Sequence, residues 1–185
     1  MASSFVSLAE ATAVNIVNDE KFEKVYGVYE NAIRIVEDGR TCETIRPGLW
    51  SLGCALGHHS YSSSIHQIRI MKQYGMVVIG IRSRNMPFLP DLSSYGRYDE
   101  NPSIHCWCSY GGRVRNGRYE SAKLTDYHEN KCVFTLTLNC DERRLSIVNE
   151  DNHEQDEMNV YESLAPFPWC LFVQISRMGG RVSLL

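Results

Sequence analysis

The sequence predicts an all-β protein, an antiparallel β-sandwich preceded by a short N-terminal helical arm. Three observations carry this reading. About ten to twelve short apolar runs, spaced roughly 8 to 20 residues apart, are separated by turn residues. The runs are rich in β-branched and aromatic residues, which fit a pleated, half-buried surface. Few stretches show helical periodicity, which argues against alternating βαβ units.

Size and composition bound the answer. At 185 residues the chain is long enough for one domain with a real core, and 43% apolar with 22% charged is ordinary for a globular protein. A net charge of −3 argues against a general nucleic-acid binder. No apolar run approaches the roughly 18 residues of a spanning helix, so no membrane partner is expected. The first eight residues lack the basic start and long apolar core of a signal peptide. The expectation is a cytoplasmic protein, with a nuclear one left open. The cysteine count, seven, is odd, and most of these residues sit in apolar patterns; reduced, buried thiols are expected.

Residues 1–31 read as an arm or linker, and residues 32–185 as the sandwich. Phe5, Leu8, Ala9, Ala11 and Thr12 have partly helical spacing, with Ser4 as a cap. Val14, Ile16 and Val17 fit an extended segment as well, and a second amphipathic pattern runs through Phe22, Val25, Tyr26 and Tyr29. Residues 32–36 alternate and meet the Asp38-Gly39 turn, with residues 41–45 as the partner strand. Residues 50–56 are small and apolar, and Gly53 and Gly57 suggest close backbone approach. A strand at 65–71 follows a serine-rich patch, and another at 76–81 is continuously apolar, as in a strand covered on both faces.

Residues 82–103 form a long connection with three prolines, the kind of loop that carries function. A strand at 104–110 precedes two turn signals, Gly111-Gly112 and Asn116-Gly117. Val133, Thr135 and Thr137 alternate with Phe134, Leu136 and Leu138. Asn139 to Arg143 supplies turn chemistry, and Leu145 and Ile147 resume the alternation. Residues 165–168 make a stiff corner before a buried strand at 169–175. Met178-Gly179-Gly180 then turns into a last strand.

The order of these motifs resembles the SPRY (PRY-SPRY) domain, the sandwich found at the C-terminus of tripartite-motif ubiquitin ligases. Residues 57–70 are similar to that family's serine-rich approach to a strand, with His66-Gln67 standing where a Trp-Glu pair is expected. Residues 76–81 resemble the glycine-containing strand that follows. The run from Cys132 through Asp141-Glu142 to Leu145-Ser146-Ile147 is the most recognisable part, and residues 167–184 resemble the closing strands. The resemblance covers about residues 32–185 and implies a concanavalin-like jelly roll. It also implies a non-catalytic module that recognises a protein or peptide through surface loops, as the substrate-recognition part of a ubiquitin-ligase-type protein. No RING, B-box or coiled-coil segment accompanies it.

Other chemistry is weaker. Cys106 and Cys108 share a strand face with one residue between them, which is not the spacing of a structural zinc site; no metal and no cofactor are expected. A Cys/His hydrolase is one alternative, but no nucleophile, base and orienter can be named together. A carbohydrate-binding sandwich is another. Charge is more informative. Residues 82–118 hold six arginines, no lysine and three acids, whereas residues 150–162 hold six acids and no Lys or Arg. Either the two stretches neutralise each other, or the first binds a partner through arginine's planar fork and neighbouring aromatics. On the second reading Arg84, Tyr95, Arg97, Tyr98, Tyr110 and Arg113 form the partner-binding set, facing an acidic or phosphorylated stretch.

Overall fold

The computed structural model describes residues 13–27, 32–45, 53–87, 101–109, 111–124 and 131–185. In chain order its strands are β1 (Val14–Ile16), β2 (Phe22–Gly27), β3 (Ile33–Val36), β4 (Thr41–Thr44), β5 (Gly53–Gly57) and β6 (Ile65–Ser83). There follow β7 (His105–Cys108), β8 (Gly112–Arg115), β9 (Arg118–Ser121), β10 (Cys132–Asn139), β11 (Arg144–Asn149), β12 (Gln155–Asn159) and β13 (Trp169–Leu184).

The two long strands decide the architecture. The spacing suggests a break between residues 71 and 76 and a turn at 178–180, yet β6 and β13 each run through. They pair antiparallel over almost their whole length, with register shifts on either side of Gly180. Gly75, opposite Gly180, has φ 83°, and a Cβ there would collide with the Gly179 carbonyl. Only glycine allows the backbones to pass so closely, so the pair folds over without either strand ending.

One layer is β12-β11-β10-β6-β13-β4-β3, using the first half of β6 and the last part of β13; β1 adds in parallel to the start of β6. The other is β2-β5-β13-β6-β7-β8-β9, using the opposite halves. The expected sandwich is present, with two of its strands common to both layers.

The core lies between the layers. β10 alternates as predicted: Phe134, Leu136 and Leu138 are buried, while Val133, Thr135 and Thr137 turn outward. Together with Ile68, Ile70, Leu145 and Ile147 they belong to the same cluster as Val77, Ile79, Ile81, Trp107, Leu171 and Val173 of the second layer. Each such side chain stabilises the fold by about 1.5–3 kcal/mol through burial. A second cluster, with Leu56, Val78, Cys106, Cys108, Val114 and Phe172, occupies the outer face of the second layer. Residues 76–81 are therefore apolar on both faces, as the sequence suggests.

The helical arm needs correction over the described residues. Residues 14–16 and 22–27 are strands, and Phe22 packs into the main core. A register shift between Phe22 and Lys24 pairs Phe22 with Gly57 and Val25 with Ala55. Phe22 and Val25 thus share a face three residues apart, which imitates helical spacing. Residues 1–12 and Tyr29 lie outside the described residues.

Candidate functional site

Folding β6 over brings its first and last residues to one end of the sandwich. The loops on either side of β6, the β10–β11 turn and the β12–β13 connection gather there. They are tied to one another. The Ser64 N–H donates to Asp141 Oδ1 at 2.8 Å, and the Cys140 N–H to the Ser64 carbonyl at 3.0 Å. Ser83 Oγ donates to the Pro166 carbonyl at 2.5 Å. Arg143 donates to the Ala165 carbonyl at 2.7 Å while its guanidinium lies 4.2 Å from the Phe167 ring centre. A cation over an aromatic face adds attraction to the hydrogen bond.

Arg84, just beyond β6, belongs to this knot. Its Nη2 donates to the carbonyls of Gly57, His58 and His59 at 2.5, 2.8 and 2.8 Å, and its Nη1 lies 3.3 Å from Glu23. The same loop is held from its other side by buried Glu20. That carboxylate accepts from the N–H groups of His58 and His59 at 2.8 and 3.1 Å, and from Tyr61 Oη at 2.5 Å. Burial first, then the Glu20 charge, pushes the Tyr61 phenol far above its ordinary pKa, so it remains a donor. Arg84 therefore fixes a loop, and its charge is spent on three carbonyls and Glu23.

Arg113 sits elsewhere, on β8, and spans the layers. Its Nη1 donates to both oxygens of Asp156 on β12, at 3.0 and 2.9 Å, and to the Glu157 carbonyl at 3.0 Å. Trp107 Nε1 donates to the same Asp156 at 2.9 Å, and both of these side chains are buried. On its other side Arg113 meets Glu120 at 3.3 Å, as does Arg115 at 3.0 Å. Burial opposes ionisation of Glu120, but these two guanidiniums hold its carboxyl below the usual range. The arginine-rich and acidic stretches thus meet here, as the first reading of the charge pattern has it. Tyr95, Arg97, Tyr98 and Tyr110 lie outside the described residues.

The loop end exposes polar residues such as Ser62, Asn85 and Glu142, together with a few large aromatic or apolar ones. Tyr161 is 54% exposed and Met86 36%, and Tyr119 on β9 is 49% exposed. Sequence reasoning passed over Tyr161 because it stands in the acidic stretch, and nothing local marks it apart from a solvated tyrosine. Burial pushes the Cys42 and Cys54 thiols up to about 12, and Cys140 and Cys170 up to about 11. His105, behind the Cys106/Cys108 pair, is buried with Nε2 3.1 Å from Asn116 Oδ1, and burial lowers its pKa.

No family model matches the sequence, and no curated protein matches it. Solved structures do. The SPRY domain of human HERC1 aligns with a TM-score of 0.66 at 14% identity, covering 88% of this chain and 96% of that one. The PSpry domain of TRIM65 aligns at 0.63 and 13% identity, covering 92% and 93%. Stonustoxin aligns at 0.69 and 10% identity over 92% of this chain, which spans only 27% of the toxin chain. Two folded-over long strands, an apolar core between two antiparallel layers and these alignments agree: the chain has the SPRY fold.

Proposed function

We propose that this chain is a non-catalytic recognition module that binds a protein or peptide through the loop end of its sandwich. In a longer assembly it would serve as the substrate-recognition part of a ubiquitin-ligase-type protein. The observation behind this reading is the loop end itself. Its backbone is cross-tied by Glu20, Arg84, Asp141 and Arg143, while Tyr161 and Met86 stand exposed upon it. Fixed loops with an exposed aromatic anchor lose little entropy on binding. The likeness to the HERC1 and TRIM65 domains supports a role of this kind.

Arg84 and Arg113 are engaged within the chain, so an acidic or phosphorylated stretch would draw on Arg97 and on exposed Arg118. Tyr95, Tyr98 and Tyr110 complete the expected contact set. The test is retention of proteins from a lysate by the immobilised chain, beside a Tyr161→Ala/Met86→Ala variant and an Arg97→Ala variant. A partner anchored as proposed loses about 2 kcal/mol or more with the first variant, roughly thirty-fold in affinity. Equal retention by all three proteins would refute the placement.

A further inference from the structure

Of the described histidines only His105 is fully buried, at 0% exposure. Successive side chains of a strand point to opposite faces. On β7, Cys106 and Cys108 join the outer cluster, so His105 and Trp107 face the inside of the sandwich. There His105 Nε2 lies 3.1 Å from Asn116 Oδ1 in the β8–β9 turn. The ring also meets the backbone of Ser103, whose N–H and hydroxyl donate to Asn101 at the end of the long connection after β6. Arg143, in the β10–β11 turn, acts on the ring from a third side. His105 thus stands where three connections enter the sheet.

The charges around it are all of one sign. Arg115 of β8 and Arg143 both act on the ring, and Arg118 of β9 stands opposite Arg115 in register. The nearest described carboxylates are engaged elsewhere: Asp156 by Arg113 and Trp107, and Glu120 by Arg113 and Arg115. On β6 the register partner Ile81 is apolar, and Arg82, on the opposite face, ends in the Met86 and Pro87 carbonyls. Burial opposes a proton on His105 most strongly. Asn116 and the Ser103 backbone favour one, and the two guanidiniums oppose it again; the balance holds the ring below its ordinary 6.5.

We infer that His105 is an acid-sensitive latch of the loop end: a proton on this buried ring meets two guanidiniums and no described carboxylate, and drives Arg143 and the β8–β9 turn away from it. Arg143 donates to the Ala165 carbonyl and lies over the Phe167 ring, and its own carbonyl accepts from the Val160 N–H at 2.8 Å. Moving it loosens the connection that carries Tyr161. Because the folded ring takes its proton less readily than the unfolded one, the stability is complete above about 6.5 and is lost as pH falls below that value. The recognition module would then hold its partner at neutral pH and release it in mild acid. That consequence rests on the recognition reading; the latch itself is tested without a partner.

Amide hydrogen exchange, corrected for the intrinsic effect of pH, is followed by NMR at about pH 7.5 and about pH 5.5, on either side of an ordinary histidine. The unaltered chain is compared with His105→Gln and Arg115→Gln. Glutamine keeps a donor for Asn116 and does not titrate, and the other five of the six histidines stay in place, so the difference isolates position 105. Protection of the Val160, Leu164 and Ala165 amides should fall about three- to ten-fold at the lower pH in the unaltered chain. It should fall less in Arg115→Gln and not at all in His105→Gln. Equal protection at both pH values in the unaltered chain overturns the latch, as does a fall that persists in His105→Gln. If that variant does not fold, the ring nitrogen shifts of His105 in the unaltered chain decide: titration at or above about 6.5 overturns the inference. If the latch holds and no protein is retained from a lysate, the recognition reading fails while the acid response of the fold stands.

Discussion

Replacing Arg113 by alanine tests whether this arginine holds the layers together or contacts a partner. The change removes both guanidinium contacts to Asp156, whose side chain is 1% exposed and would keep only the Trp107 indole donor. Removing one member of a buried ion pair costs about 3–5 kcal/mol, because the other charge is left behind. Arg113 is itself 18% exposed, and Trp107 continues to donate, so the cost here falls to about 2–4 kcal/mol. In a chain of this size 3 kcal/mol corresponds to a fall of about 6–12 °C in Tm. Equilibrium urea unfolding followed by tryptophan fluorescence should show a lower midpoint with an unchanged m-value. A double-mutant cycle sharpens the result. Arg113→Ala and Asp156→Ala together should cost less than the sum of the single changes by about 1–3 kcal/mol. An Arg113→Ala protein within about 0.5 kcal/mol of the unaltered chain would refute the clasp and return Arg113 to the partner surface.

Three further outcomes are expected. Gly75→Val should lower the yield of folded protein and its Tm sharply, since it meets both a positive φ and a backbone collision; a Tm unchanged in calorimetry would contradict the folded-over geometry. Glu20→Gln should leave the core intact but raise hydrogen exchange at the His59 amide by about ten-fold or more, read by NMR, because a charged acceptor is lost, while the His58 amide keeps the Lys21 carbonyl at 2.7 Å. Hydrogen bonds from Arg69 and Thr135 lower the Glu150 carboxyl from 4.5 to about 2 in the folded chain. A depressed folded pKa stabilises above the unfolded value, and that stability is lost as pH falls toward about 2. Glu150→Gln should therefore flatten the fall of Tm across that window, and an unaltered acid limb would count against the pairing.

Much of the sheet was legible because it is half-buried in a simple way. The Cys132–Asn139 and Arg144–Asn149 hairpin declares itself by period-two alternation, and its turn residues fall where the turn is. The Asp38-Gly39 hairpin is legible for the same reason. Elsewhere tertiary structure overrode the local pattern. At β2 a register shift gave Phe22 and Val25 helical spacing, and at Gly75 a turn-like residue bends a strand that does not end. The charge pattern pointed to the right stretches and left their partners open. Arg113 and Asp156 are 43 residues apart, and only the closure of two layers brings them into contact. Tyr161 had no signal at all, since exposure is a property of the folded surface and not of a residue's neighbours in the chain.

The sharing of β6 and β13 between layers also constrains how the chain reaches its native state. Neither layer is a separate folding unit, because each lacks its central strands until both are in place. The paired residues of these two strands stand 86 to 114 positions apart, from Ser83–Trp169 to Ile70–Leu184. Their meeting closes a very long loop before most of the native contacts can repay the lost chain entropy. The chain should therefore fold slowly for its size, in one cooperative step. During synthesis it holds its apolar residues exposed until β13 has emerged, so its dependence on chaperones should be set by the arrival of that strand and not by the speed of any local hairpin.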